Sequence, residues 1–492
     1  MAEGFSLYID GAFCEAEGAA VFDSLDPATE TVWARMPRAS AADTDRAVKA
    51  AHRAFHESPW PSLTASARGK LLARLAELVA RDAGVIAELE TRDTGKVIRE
   101  TRAVTGYVAE FYRYYAGLAD KIEGATLAID KPDLDVSTRR EPLGVVAAIV
   151  PWNSQMFLAA VKLGPALAAG NTVVLKASED GPAPLLHFAR LIDEAGFPPG
   201  VVNVITGFGN DCGQALTSHR LVSRVAFTGG PETARLVVRN TAENFAVTTL
   251  ELGGKSPVIV FGDANIDSAV NGIIAGIWGA TGQSCVAGSR LLAHRSVHDA
   301  VVERLVKRAA EIRIGPPLDM ATEMGPLATL RQKQRAAKLI AGSIAEGAVL
   351  RAGGGTPKGF DKGYYFEPTL LLAPNAGIPC MQQEFFAPVL SVLGFDTEEE
   401  AVGLANATPY GFAAGVFTRD LARAHRMAKR VRAGVVWVNT YRAVSPVAPF
   451  GGNGFTGFGR EGGLDAIRDY TRTKTVWINT SDEPIADPFV MR

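Results

Sequence analysis

The sequence predicts an α/β protein of two domains, each built on a mainly parallel sheet, with a small β element attached. Two observations carry this. From about Val145, short and continuously apolar runs recur, separated by stretches of helix length. Strands covered by helices on both faces of a parallel sheet read this way. The second observation is that 492 residues exceed what one core usually holds, so two or three domains are expected.

The elements follow in order. Leu71–Ala80 places apolar residues at helical spacing, with charges on the opposite face. A first strand series comprises VVAAIV, TVVLKAS, GVVNVITG, RVAFTG, TTLELGG and PVIVF, between residues 145 and 261. Helices are expected between them at Phe157–Ala169 and Pro184–Ala195. A second series, SRLLAH, TLLLAP, VLSVLGF and VVWVNT, argues for a second α/β domain and a cleft between the two. Ligands on such sheets bind at the carboxyl ends of the strands. Gly124–Pro142 differs from both series and reads as an extended hairpin. Its alternating charged and apolar residues suit either an edge that pairs with another subunit or a solvated hairpin.

Composition excludes several classes. The hydrophobic fraction of 47% and charged fraction of 21% are those of a globular protein, and a net charge of −2 implies no nucleic-acid-binding face. The cysteines Cys14, Cys212, Cys285 and Cys380 lie far apart, with neither a metal-ligand spacing nor a disulfide framework. The N-terminal MAEGFSLYID lacks the pattern of a signal peptide, and no run of 18 apolar residues occurs. A cytoplasmic protein without a membrane span or a metal is expected.

Three residues stand where chemistry is possible. Cys285, in ATGQSCVAGSR, follows a Gly-rich approach that lets backbone amides come close to the sulfur. A free thiol is only about 3% thiolate at neutral pH, so a nucleophile there needs a helix N-terminus, a base or a cation nearby. Glu251, in LELGGKSP, ends a strand beside a double glycine and suits a general base facing a cleft. The Asn153 amide, in IVPWNSQ, can donate to an oxyanion. Each has a structural alternative: an inert buried thiol, a surface or capping glutamate, and a helix N-cap. Two further segments suit a dinucleotide. Lys176 and Glu179 close a strand where both can bond ribose hydroxyls, and the acid disfavours a 2′-phosphate. AFTGGPETA runs from strand through a Gly-rich turn to a helix that can receive a pyrophosphate, although GxGxxG is absent.

Taken together and in order, these segments resemble the aldehyde dehydrogenase superfamily over about residues 7–477. The matching segments are PWN (151–153), KASE (176–179), FTGG (227–230), ELGGK (251–255), GQSC (282–285), EFFAP (384–388), WVN (437–439), PFGG (449–452) and GFGRE (457–461). The separation of 34 positions between Glu251 and Cys285 also fits. The resemblance implies two Rossmann-like domains plus an oligomerisation element. The dinucleotide-binding domain would comprise 1–123 and 143–253, the catalytic domain 254–470, and the oligomerisation element 124–142 and 471–492. It implies NAD-dependent oxidation of an aldehyde to a carboxylic acid through a thioester, in a homodimer or homotetramer. Cys285 matches the nucleophile, Glu251 the general base, Asn153 an oxyanion donor and Lys162 a lysine near that glutamate. Lys176 and Glu179 match adenosine-ribose contacts, and Trp152, Gly209 and Gly230 line the cofactor cleft. Glu384 matches the nicotinamide-ribose contact and Phe386 an aromatic packed near it.

Departures from the family pattern concern the cofactor turn and the substrate funnel. Gly230 replaces a common serine, Pro231 and Ala234 are unusual, and Ala387 replaces a glycine. Ser154, Val161, Gly279 and Val444 stand where relatives often carry aromatics, which implies a wider funnel, and Arg442 falls at its expected mouth. A bulky aldehyde carrying a carboxylate is one reading; a surface arginine paired with a local acid is the other. Two rival functions remain. In CoA-acylating relatives the Glu251 position usually lacks a glutamate, and in catalytically silent members the nucleophile or base is usually lost.

Overall fold

The computed structural model describes residues 3–490, so positions 1, 2, 491 and 492 of the expected terminal segments lie outside the described residues. Its first large sheet has eight strands. From one edge these are Gly457–Phe458, Val247–Leu252, Val222–Gly229, Val145–Val150, Thr172–Ala177, Val202–Thr206, Leu7–Ile9 and Ala12–Cys14. The central five are parallel and include the first five expected runs. The outer pairs are antiparallel. Val145–Val150 is buried except at Ile149, as its unbroken apolar run requires.

The second sheet runs Val349–Ala352, Thr369–Leu372, Val389–Phe395, Arg290–His294, Pro257–Val260, Ala413–Phe417 and Val435–Val438. Every neighbouring pair is parallel except the first. Pro257–Val260, the last run of the first expected series, lies inside this second sheet. Ala413–Phe417 is a strand the sequence reading did not anticipate. Leu134–Pro142 pairs antiparallel with Thr471–Asn479 along its whole length and also with Thr126–Leu127. The hairpin and the C-terminal segment therefore meet in one small sheet.

Two features differ from the expected organisation. The N-terminal hairpin Leu7–Cys14 extends the first sheet at one edge. At the other edge Gly457–Phe458 pairs with Val247–Leu252, with Glu251 opposite Gly457. Residues from the 254–470 segment thus return to the first sheet beside the strand that carries Glu251. Helices cover the sheets, and Leu72, Leu75, Ala76 and Val79 form the buried stripe of Ala65–Arg81. Helix Gln155–Ala168 is buried over nearly its whole length.

Candidate active site

In the first sheet the chain starts centrally at Val145–Val150, adds Thr172–Ala177 and Val202–Thr206 on one side, then crosses to Val222–Gly229 on the other. The strand order therefore reverses between Val150 and Gly229, and a crevice opens beyond the carboxyl ends of those strands. The loop Pro151–Asn153 and the turn at Gly229–Gly230 flank it. Two cavities of about 400 and 220 Å³ share Pro151, Trp152, Thr228, Gly229 and Gly230 and so form one cleft. The larger holds Lys176, Glu179 and Gly209. The smaller holds Cys285, Asn153, Glu251, Glu384 and Phe386.

At the larger cavity Lys176 donates to Glu179 at 3.0 Å, so the two expected ribose contacts pair with each other. Asp180 accepts from Arg331 at 2.7 Å across the same cavity. Gly230 precedes helix Pro231–Asn240 and offers no side chain to cap it. No side chain among the described residues caps that helix, and Gly230, Pro231, Glu232 and Thr233 at its start line the cleft, the placement an anionic phosphate needs.

The smaller cavity gathers acids around a thiol. Cys285 is not at a helix N-terminus, contrary to one of the expected means of activating it. It follows a hook in which Ala280, Thr281 and Gly282 have φ of 52°, 52° and 70°. Burial pushes its thiol up to about 12, and the charges of Glu251 and Glu384 act in the same direction. The Cys285 carbonyl packs 3.3 Å from where a Cβ on Gly254 would lie, so the glycine pair after Glu251 brings the two motifs together.

Asn153 is buried and does not cap helix Gln155–Ala168, since Ser154 is the N-cap residue. Its Nδ2 donates to the Gln283 carbonyl at 3.1 Å, two residues before Cys285. One Nδ2 hydrogen remains for a ligand. Glu251 is 2% exposed, and neither carboxylate oxygen has a hydrogen-bond partner among the described residues. A Cβ on Gly451 of PFGG would lie 2.5 Å from Glu251 Oε1, so that glycine makes room for the carboxylate. Burial, and then the charge of Glu461, raise Glu251 well above the usual carboxylate range; Lys162 and Arg460 oppose this. Lys162 is fully buried and donates to Thr228 Oγ1 at 2.7 Å and to Glu461. Sequence reasoning missed Glu461 as a site residue, although GFGRE contained it.

Glu384 Oε1 accepts from the Gly254 N–H at 2.8 Å. A Cβ on Gly253 would fall 2.0 Å from Glu384 Oε2, so the double glycine also seats this acid. Burial raises Glu384 to about 7, with the Gly254 bond opposing. Phe386 has φ of 52° and meets Trp152 edge-on, ring centroids 5.6 Å apart.

The expected funnel residues stand apart from this cavity. Ser154 donates to the Asn153 carbonyl at 2.6 Å. Val161 is 3% exposed within the core cluster of the first domain, because its face of the helix packs inward. Val444 is 39% exposed, and its carbonyl accepts from Tyr107 at 3.4 Å. Arg442, at φ of 62°, donates to the Ala275 carbonyl at 3.0 Å. A Cβ on Gly279 would lie 2.6 Å from Arg442 Nη1, so Gly279 admits the guanidinium. Arg442 is therefore anchored by a backbone carbonyl rather than by the local acid of the alternative reading.

A cleft at a strand-order switch point, with a thiol and carboxylates at one end, defines a nucleotide-cleft oxidoreductase with a cysteine at its centre. The model of the aldehyde dehydrogenase family matches residues 13–476, and the chain belongs to that family. A curated relative, (Z)-2-((N-methylformamido)methylene)-5-hydroxybutyrolactone dehydrogenase of Acinetobacter baylyi, is 60% identical over 489 residues, covering 99% of each chain. The NAD+ complex of aldehyde dehydrogenase from Bacillus cereus is 41% identical, covers 97% of each chain and has a TM-score of 0.96. The structure of PnpE from Pseudomonas sp. WBC-3 is 43% identical with a TM-score of 0.96, covering 99% of this chain and 100% of that chain.

Proposed function

We propose that the protein oxidises an aldehyde to its carboxylic acid with NAD as hydride acceptor, by way of a covalent adduct on Cys285. The observation that carries this reading is the single cavity where Cys285, Asn153, Glu251 and Glu384 meet. The uncapped helix at Gly230 and the Lys176–Glu179 pair fit the phosphates and ribose of a dinucleotide. Bound NAD supplies the hydride acceptor and a cationic ring whose charge favours the Cys285 thiolate. The chain's own groups do the rest. The Cys285 sulfur attacks the carbonyl carbon, and the oxyanion accepts from Asn153 Nδ2 and the Cys285 N–H. With NAD bound as acceptor, collapse of the adduct would expel the carbon's hydrogen as hydride and would leave a thioester on Cys285. Glu251 takes a proton from a water, whose oxygen attacks the thioester and releases the acid and the thiol. Lys176, Glu179, Trp152, Gly209 and Gly230 line the dinucleotide path, and Glu384 and Phe386 its reacting end. Lys162 sits behind Glu251 and tempers its charge.

The name of the 60% identical relative supports a substrate class. A 5-hydroxybutyrolactone is the ring-closed form of a 4-oxo acid, an aldehyde bearing a carboxylate. The proposed substrate is an aldehyde bearing a carboxylate, and Arg442, anchored on the Ala275 carbonyl beside Gly279, is the group we assign to receive it. Arg442→Ala is expected to raise KM more for 4-oxobutanoate than for butanal; equal effects overturn this assignment. The small sheet of Thr126–Leu127, Leu134–Pro142 and Thr471–Asn479, within the expected element of 124–142 and 471–492, is the proposed contact between copies. It leaves Trp477 57% and Ile478 51% exposed, and light scattering should give twice or four times the chain mass. We place the enzyme in the cytoplasm on its scattered free cysteines.

The deciding experiment follows NADH with a panel of aliphatic, aromatic and acid-bearing aldehydes and identifies the product with and without CoA. Free acid in both cases is expected. Acyl-CoA as the product, or no NADH with any aldehyde, overturns the reading.

A further inference from the structure

We propose that the turn joining helices Ala83–Thr94 and Ile98–Leu118 is a brace that positions the oxyanion site, Lys96 holding the Asn153 loop and Glu100 holding the Cys285 loop. This rests on the roles proposed above for Asn153 and Cys285.

Lys96 Nζ lies 2.6 Å from Glu90 Oε1 and 3.0 Å from the Asn153 carbonyl oxygen. The Lys96 and Glu90 side chains are 4% and 1% exposed. Burying such a pair costs desolvation that its attraction repays only with full hydrogen bonding. Here Glu90 Oε2 has no partner among the described residues, so stability alone gives a poor account of the pair. Its geometry gives a better one. The Asn153 carbonyl accepts from Lys96 and from Ser154 Oγ, which fixes the peptide from which the amide projects. With that peptide fixed, one Nδ2 hydrogen goes to Gln283 and the other faces the cavity.

Glu100 acts on the second loop. Both its carboxylate oxygens lie 3.0 Å from the Ala280 nitrogen and accept its N–H. Ala280 and Thr281 are non-glycine residues at φ of 52°, a conformation that persists only where the surroundings hold it. The hook they make closes with Gln283 N–H donating to the Ala280 carbonyl at 3.0 Å, and Cys285 follows two residues later. Freeing Ala280 lets the hook relax and shifts the Cys285 N–H, the other oxyanion donor. One short segment thus grips both donors, and the Asn153–Gln283 bond ties the two loops together.

The test compares Lys96→Met and Glu100→Ala with the conservative Lys96→Arg and Glu100→Gln in the full-length enzyme. With butanal, the pre-steady-state NADH burst is expected to slow about 10- to 100-fold in the first two, since an ångström of misplacement can cost that much. NAD affinity should stay within about two-fold, a split a general loss of structure would not give. Glu100→Gln retains an acceptor and should restore most of the rate. Lys96→Met should add nothing on top of Asn153→Ala, because it acts through that residue. Amide exchange should quicken at residues 279–286 in Glu100→Ala and at 151–155 in Lys96→Met. Unchanged exchange at both loops, or equal slowing by Lys96→Met with and without Asn153, overturns the brace. If the wild type forms no NADH with any aldehyde of the panel, the proposed oxidation fails while exchange still decides the brace. Should Lys96→Met fail to fold, Glu100→Ala, at a half-buried position, carries the exchange test.

Discussion

At one end of the cleft Lys176 bonds Glu179 and Arg331 bonds Asp180; at the other, among the described residues, Glu251 has no hydrogen-bond partner and Glu384 has one backbone N–H. The Lys176 end keeps its charges paired, with Glu179, Asp180 and Arg331 partly exposed, so they can exchange partners with a ligand at little cost. The Cys285 end keeps acids beside a buried thiol, where each raises the cost of ionising the others. Burial without pairing shifts proton affinities to where a proton can be given or taken near neutral pH. The first arrangement suits holding a ligand, and the second suits reacting with one.

The largest effect expected at the reacting end is that of Cys285→Ala. Turnover should fall at least about 10³-fold, as when a nucleophile is removed, while NAD binding by fluorescence titration stays unchanged. Weakened NAD binding of similar size would break the division between the two ends. Next comes Glu251→Gln, which should lower steady-state turnover about 10²-fold and leave one equivalent of NADH as a burst before stalling. Full steady-state turnover would contradict the assigned base.

A smaller effect is set by pH. Burial lifts Glu384 from an ordinary 4.5 to about 7, so the native state holds this proton more tightly than the unfolded chain. That contribution to stability is complete below 4.5 and is lost as pH rises through 7. Glu384→Gln keeps an acceptor for Gly254 and lacks the loss. Denaturant melts should therefore show the variant gaining on the wild type between pH 4 and 8, by roughly 1–2 kcal/mol once solvent reaching the carboxylate across the cavity is allowed for. A gap independent of pH would mean that burial does not raise Glu384, and would remove the contrast between the two ends. The smallest change is expected from Arg331→Ala, whose side chain is 76% exposed. Stability should move by less than about 1 kcal/mol and KM for NAD by less than about three-fold. A larger KM effect would show that the Arg331–Asp180 pair guards the cleft rather than merely edging it.

Much of this was legible along the chain, and the misses share a cause. The runs at 145–150, 172–177, 202–206, 222–229 and 247–252 became the parallel centre of one sheet, because burial on both faces leaves its mark within each run. Lys162 was singled out, but its partner Glu461 lies 299 positions away and nothing local joins them. Glu90, Lys96 and Glu100 carried no signal, since a buried ion pair and a carboxylate on a backbone N–H look like any charged helix end. Val161 was assigned to the funnel by position and lies in the core. Gly457–Phe458 is too short a strand to announce itself, and only its neighbour Val247–Leu252 defines it.

By itself the sequence determined the α/β character and the central strands of the first sheet, and it singled out the thiol, the acid and the amide, because periodicity and residue chemistry are local properties. Tertiary structure alone decided that Gly253 and Gly451 make room for Glu384 and Glu251, and that Lys162 lies against Glu461. It also decided that the thiol sits among acids. Those facts depend on which distant backbones approach within contact, and desolvation, which sets the proton affinities, exists only once they have.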